Sequence, residues 1–345
     1  MRKKRPVLLL ATLFVSSFGI IGSLAYLSKN SNDKNNGFTR RLLPTTLQLR
    51  KQATFPITMY RLIGSQTGKL YFQGNNPYEL YTTNLSLDSF TTLPLSIPPD
   101  KKISTGTRLF LEGRHLYISC RNWPAVIDYD LDSKNSATHV LPYFYSKEAR
   151  LSKDRFILRA SDRKTNDAVF VKLNLNATAV KQEDHFSTKE GNNIFSTDGI
   201  LYYDSTTHLA CYTYYYQNGF ICMDSNLNLR VKARTIDTIT KREIKIAHVG
   251  HSLTMKQPPA MVNNIGAVAD GTLYLQSMLK ADNELPLDFA ENTVIDAYSV
   301  TNGNYIASFY IPPYKGNKPF QFTVIDKKLY AIYGKTVVVY NLGPI

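Results

Sequence analysis

The sequence predicts an all-β protein: a six-bladed β-propeller preceded by one N-terminal transmembrane helix acting as a signal anchor. A turn followed by a short strand opening on Leu-Tyr or its equivalent occurs six times along the chain. Most of the recurrence intervals are those of a four-stranded blade. The last unit stops after its third strand while a spare strand precedes the first, which is the arrangement that closes a ring.

The N-terminus comes first. Residues 1–5 carry Arg2, Lys3, Lys4 and Arg5 and read as a cytoplasmic tail. Residues 6–27, Pro6 to Leu27, hold no charge, and about twenty apolar residues span a hydrocarbon core. The basic flank orients the segment with its N-terminus inside and the body outside the cytoplasm, in a bacterial periplasm or on a cell surface. Ser23-Leu24-Ala25 resembles a small-x-small cleavage site, and cleavage there would release a secreted protein. The apolar run is longer than a usual signal core, which favours a retained anchor. No cysteine follows it, so a lipoprotein anchor is not expected. Residues 28–37 are polar and Asn-rich and read as a flexible linker; residues 38–345 form the propeller.

The body has the composition of half-buried strands, with Tyr 23 and Phe 17 against a single Trp. Charged residues make up 20% and no long polar tract interrupts the body, which argues against disorder. The net charge is +14, but it is dispersed; removing the four N-terminal charges leaves +10 on the rest. No basic helix with interleaved aromatics is present, so nucleic acid is not an expected partner, and a basic surface near anionic lipid is.

The repeat begins with Gly68-Lys69-Leu70-Tyr71 and continues through Gly113–Ile118 and Asp154–Leu158. It returns as Asp198-Gly199-Ile200-Leu201-Tyr202, Asp270-Gly271-Thr272-Leu273-Tyr274 and Asp326–Tyr330. The intervals between the Leu or Phe markers are 46, 40, 45, 72 and 56 residues, so two units carry insertions. The longest holds an excursion from Thr235 to Pro259. Acidic-Gly pairs supply the positive φ of a tight hairpin turn. A second alternating run follows most markers, as in Val126–Asp132, Val169–Asn174 and Val337–Leu342. Arg41–Leu49 is expected to pair beside Val337–Leu342 as the outer strand of the last blade. A β-sandwich also fits regular turn spacing, but the missing and spare strands at opposite ends favour a ring.

Cys120, Cys211 and Cys222 are too few for a disulfide framework or metal site. A two-residue turn at Asn218-Gly219 would set Cys222 opposite Tyr215 rather than Cys211, so free buried thiols are expected.

The runs Leu70–Gly74 with Glu79–Leu85, His115–Cys120 with Val126–Asp132, and Lys328–Gly334 with Val337–Leu342 resemble six-bladed propellers of the TolB-like and NHL-like type. Thr293–Pro312 is similar to exported Bacteroidetes propeller proteins. The resemblance covers residues 40–345 and implies a scaffold for binding or assembly; it names no ligand. WD, kelch and Asp-box signatures are absent.

Innermost strands of a propeller line its channel. Arg61, Arg108, Arg150, Asn192 and Asn263 each precede a marker turn by a few residues and are the candidate ligand contacts. An arginine there suits an anion, because its planar fork binds carboxylate or phosphate bidentately. Taken singly, each arginine is more readily a solvated or salt-bridged channel residue; it is together that these residues form the candidate site. The pair His248 and His251 has metal-like spacing, but Gly250 lies between them and no third ligand is near, so they read as loop histidines. The run Tyr212–Tyr216 suits stacking between blades. No nucleophile elbow, phosphate loop or metalloprotease motif occurs. No cofactor, metal or catalytic residue is therefore expected. The expected function is a membrane-tethered, extracytoplasmic, non-catalytic module that binds a protein or small anionic ligand. The alternative is an exported propeller enzyme, a lyase or hydrolase, with its site at the channel mouth.

Overall fold

The computed structural model describes residues 4–32, 35–43, 46–97, 103–104, 106–162, 164–165, 167–177, 180–183, 195–241, 244–250, 252–257 and 259–345. Helix α1 (Lys4–Asn32) is followed by β1 (Leu47–Thr54). Blade one is β2 (Met59–Gln66), β3 (Lys69–Gly74), β4 (Glu79–Asn84) and β5 (Thr91–Pro94). Blade two is β6 (Arg108–Glu112), β7 (His115–Cys120), β8 (Ala125–Asp130) and β9 (Ser136–Val140). Blade three is β10 (Tyr145–Ser152), β11 (Arg155–Ser161), β12 (Ala168–Asn174) and β13 (Lys181–Gln182). Blade four is β14 (Gly199–Asp204), β15 (Leu209–Tyr214), β16 (Phe220–Asp224) and β17 (Leu229–Ala233). The excursion after it carries a hairpin, β18 (Ile246–Val249) and β19 (Ser252–Met255). Blade five is β20 (Asn263–Ala269), β21 (Thr272–Ser277), β22 (Thr293–Ser299) and β23 (Tyr305–Ile311), with helix α2 (Pro286–Glu291) inserted before β22. Blade six is β24 (Gln321–Ile325), β25 (Lys328–Tyr333) and β26 (Thr336–Leu342), completed by β1.

Each blade is an antiparallel meander, and local backbone chemistry sets its inner hairpin. Thr67-Gly68, Asp270-Gly271 and Asp326-Lys327 all hold positive φ at both residues, which matches the twist of the strands they join. Apolar side chains of adjacent blades meet in six clusters, one for each neighbouring pair. Leu80 and Leu116 belong to that of blades one and two, and Phe72 and Val337 to that of blades six and one. The remaining four join blades two to three, three to four, four to five and five to six. A closed circuit of such cores is what a ring demands and a sandwich does not.

Closure occurs on β1, which pairs with β26 from Leu47↔Leu342 to Thr54↔Thr336. The closing strand thus lies later than Arg41–Leu49. Residues 38–43 instead run along the outer edge of blade five, where Leu43 N donates to Ser308 O at 2.8 Å and Ser308 N to Arg41 O at 2.9 Å. Arg40 is buried there between Glu284 and Asp296, with Nε 2.8 Å from Asp296. Within the expected 28–37 linker, α1 continues to Asn32, and the amides of Asn36 and Gly37 donate to the Asp282 carboxylate.

Three further expectations need correction. In blade four the marker strand is β14, the first of its sheet, whereas in the other five blades it is the second. Cys211 and Cys222 lie directly opposite one another and form a disulfide, not free thiols. The Asn218-Gly219 turn is not a two-residue hairpin, because Tyr214 N bonds Gly219 O and four residues loop out between them. Tyr215 leaves the ladder to accept from the amides of Val262 and Asn263, and Asn218 Nδ2 donates to Asp237 O. Finally, among the described residues no helix is long and apolar enough to cross a membrane. The transmembrane assignment of Pro6–Leu27 therefore rests on the sequence. Residues 10–25 of α1, the described side chains, are exposed throughout, with Leu10, Phe14, Phe18 and Ile21 at 60% or more.

Candidate ligand site in the central channel

First strands of the blades contact one another around the axis: β24 with β2 and β20, β2 with β6, and β14 with β10 and β20. All six contribute to one cavity of about 380 Å³. Its walls mix Ile63, Phe110 and Val268 with charged and polar side chains. Alternation along a strand places Arg108, Phe110 and Glu112 inward while Leu109 and Leu111 enter the core between blades. On β2, irregularities between Met59 and Arg61 and between Leu62 and Gly64 flank Arg61, the kind of bulge that re-aims a side chain.

Arg61, Arg108 and Arg150 all line this cavity. Their surroundings differ. Arg150 forms an ion pair with Glu112, so its charge is already met. Arg108 donates through Nη1 to the backbone carbonyl of Glu148 at 3.1 Å and stacks over Phe110 at 5.0 Å, while its buried Nε has no partner. Arg61 also has a buried Nε without a partner. Asn263 is elsewhere: it is 1% exposed, and its amide donates to Tyr214 O at 3.0 Å and Gln217 O at 3.3 Å. It pins the loop of blade four and does not face the cavity. Asn192 lies outside the described residues, and the innermost strand of its blade begins later, at Gly199.

Sequence reasoning missed five further residues: Tyr202 and Gly266 line the cavity, while Glu148, Arg121 and Tyr215 act on its arginines from behind. Glu148 of β10 is wholly buried and is gripped by both arms of Arg121. Tyr215 lies within electrostatic range of Arg121 and Arg108, and the Lys147 ammonium sits 5.6 Å from its ring centre. Tyr202, 8% exposed, lines the cavity with a buried hydroxyl that has no partner. Gly266 makes room for that hydroxyl: a Cβ there would stand 2.9 Å from Tyr202 Oη and 2.6 Å from Tyr274 O. The shifted phase of blade four hid Tyr202, because the matching tyrosines of the other blades lie on second strands.

Burial opposes the charged forms of Arg61, Arg108, Arg121, Tyr202 and Tyr215. Arg61 is pushed down to about 9, first by burial and then by the Arg108 charge, with Glu148 opposing both. Arg108 is lowered by burial against the same carboxylate. Arg121 is also pulled down by burial, but its pairing with Glu148 outweighs that and holds it raised. Burial raises the Tyr202 phenol, and raises Tyr215 to about 12, so both stay protonated. A guanidinium does not readily surrender its proton, so the cost appears as a demand for counter-anion.

The arrangement can hold an anion; its fitness for acid–base chemistry is poor. The carboxylates Glu112, Glu148 and Asp198 are each held by Arg150, Arg121 or Lys147. Cys120 is wholly buried, and burial pushes its thiol up to about 11. Among the described residues no group of three His, Cys, Asp or Glu could hold a metal ion. His251 lies outside the described residues; His248 is on β18.

Fold and site together define a closed six-bladed β-propeller with a cationic central channel. The chain matches no family model and no curated protein. It is similar in fold to a solved member of the DUF4221 family from Bacteroides vulgatus, with 14% identity, a TM-score of 0.53, and coverage of 90% of this chain and 99% of that one. A Bacteroides fragilis protein designated as exported matches with 11% identity and a TM-score of 0.52, over 88% of this chain and 97% of that one. A virginiamycin B lyase from Staphylococcus aureus shares 9% identity at a TM-score of 0.49, over 86% of this chain and 100% of the lyase. The likenesses to the two Bacteroides proteins bear out the propeller fold.

Proposed function

We propose that the protein is an exported, membrane-tethered propeller that binds a small anionic ligand in its channel without transforming it. The carrying observation is that Arg61 and Arg108, from adjacent blades, line one cavity and pair with no carboxylate among the described residues. A disulfide at Cys211–Cys222 supports an oxidising, extracytoplasmic setting. So does the likeness of Thr293–Pro312 to exported Bacteroidetes propellers, a kinship we extend to the TolB-like type. The tether is argued from the uncharged run Pro6–Leu27, the basic flank before it and the exposed apolar side chains of α1. The lyase or hydrolase alternative gains no comparable support, because the carboxylates at the site are already paired.

Thermal shifts across carboxylates, phosphates and sulfated sugars test the binding. Anions should raise the melting temperature of the wild type, less so in added salt, since the gain is electrostatic. Arg61→Gln with Arg108→Gln should abolish the shift, and Arg150→Gln should leave most of it. An unchanged shift in the double variant removes these arginines from the site. Carbonate extraction with N-terminal sequencing tests the tether; a soluble chain beginning near Tyr26 would overturn it.

A further inference from the structure

We propose that the channel is built for a doubly charged phosphomonoester, the phosphate end of a small organic molecule; this rests on the anion reading above and narrows it. Charge counting leads there. Among the described residues, the one carboxylate acting on Arg61, Arg108 and Arg121 together is Glu148, which leaves two of their positive charges without a counterpart there. Both Glu148 oxygens are taken by Arg121, and its backbone carbonyl by Arg108. Glu112 is spent on Arg150. A monoanion would leave one of these two charges unmet, whereas a phosphomonoester carries about −1.5 to −2 at neutral pH.

The unsatisfied groups agree with the charge. Arg61 Nε, Arg108 Nε and Tyr202 Oη are all buried hydrogen-bond donors without a partner, and each belongs to a side chain lining the cavity. The guanidinium nitrogens cannot accept, so what this wall lacks is acceptors. A phosphate end group presents three strong acceptor oxygens, suited to the arginine fork. Size sets the rest. The cavity of about 380 Å³ exceeds a bare oxyanion many times over, water itself taking about 30 Å³. Ile63, Phe110 and Val268 offer the remaining space an apolar surface, which fits an organic body behind the phosphate.

Isothermal titration of the full chain in detergent tests this with phenyl phosphate, phenyl sulfate and inorganic phosphate. The two esters share shape and three terminal oxygens but differ in charge, the sulfate ester being a monoanion. Phenyl phosphate should bind about tenfold tighter than phenyl sulfate near pH 7.5, and lose about that factor near pH 5, as its second ionisation near 6 reverses. The arginines keep their charge in that range; the other ionisable lining groups are Glu112, Tyr202 and Tyr203, with no histidine, and Glu148 lies buried behind them on Arg121. Phenyl sulfate keeps one charge throughout, so its affinity reports any change in the protein. Tyr202→Phe removes a hydroxyl that has no partner; it should fold as the wild type does and bind phenyl phosphate several-fold more weakly. Equal binding of both esters would overturn the dianion assignment while leaving the anion site standing. Inorganic phosphate binding as tightly as phenyl phosphate would overturn the ester. Binding of none of the three would overturn both the assignment and the anion site.

Discussion

Arg121 holds Glu148 through both arms of its fork, Nε to Oε2 at 2.8 Å and Nη2 to Oε1 at 2.9 Å. The arginine comes from the turn after β7 and keeps a third of its side chain in solvent, while the carboxylate is wholly buried. Glu148 is also the carboxylate that acts on Arg61 and Arg108 among the described residues. Glu148→Gln should destabilise the head by about 3 kcal/mol, because breaking a buried pair strands its partner. Sulfate should recover part of that loss. Urea melts with and without sulfate decide it; an equally stable variant, indifferent to sulfate, removes Glu148 from the electrostatics of the channel.

Arg40 is a second buried charge, but a structural one. Its side chain has no exposure and meets Glu284, Asp296 and the carbonyl of Leu279. Arg40→Met should cost about 3 to 5 kcal/mol, since both carboxylates lose their counter-ion. Hydrogen exchange at the amides of Gly37, Leu43 and Ser308 should accelerate as the strap lifts. Protection that survives the substitution means that the strap is held by its backbone bonds alone.

The disulfide carries a redox prediction. Cys211 and Cys222 join neighbouring strands of blade four across a separation of 11 residues, and both are fully buried. Replacing both by serine, or full reduction under denaturing conditions before refolding, should lower stability by about 2 to 3 kcal/mol. Mass spectrometry of alkylated protein gives the prior check: an unfolded, unreduced sample that takes up three alkyl groups has no such bond.

Deleting β1, residues 47–54, should leave the ladder of Thr336–Leu342 open and cause aggregation or loss of cooperative unfolding. Deleting 41–46 alone should spare the ladder and loosen blade five. The reverse ranking of the two deletions would restore the earlier segment as the closing strand.

The repeat of turns and Leu-Tyr strands made the ring legible because each unit buries the same apolar pattern between blades. The closing strand was misplaced for a physical reason. An outermost strand faces solvent on most positions, and five consecutive residues of β1, Gln48 to Gln52, are exposed, so hydrophobicity carries little signal there. The apolar Leu42 and Leu43 drew the assignment upstream, although they belong beside Ser308. Arg61, Arg108 and Arg150 were legible by their place a few residues before a marker turn, which puts them on innermost strands; charge alone was no guide, since Lys147 and Glu148 on the strand of Arg150 do not line the cavity. Asn263 was not, since a buried amide serves loop carbonyls as readily as a ligand. Tyr202 was hidden by the shift of blade four, and Arg121 by its place in a turn that no alternation governs. The disulfide was missed because two tyrosines leave the ladder and lengthen a turn that looked short.

Thr54 and Thr336 share a hydrogen bond across 282 positions of chain, and the bond lies at the seam of the ring. Contacts so distant in sequence are expensive in loop entropy and form late. The seam therefore imposes a schedule on biogenesis. Blades one to five can each gather their own meander as they emerge, but blade six has no outer strand until β26 has been synthesised and has crossed to meet β1. Until then β1 waits as an unpaired edge, and the growing chain has most need of a chaperone or a slow, unidirectional passage.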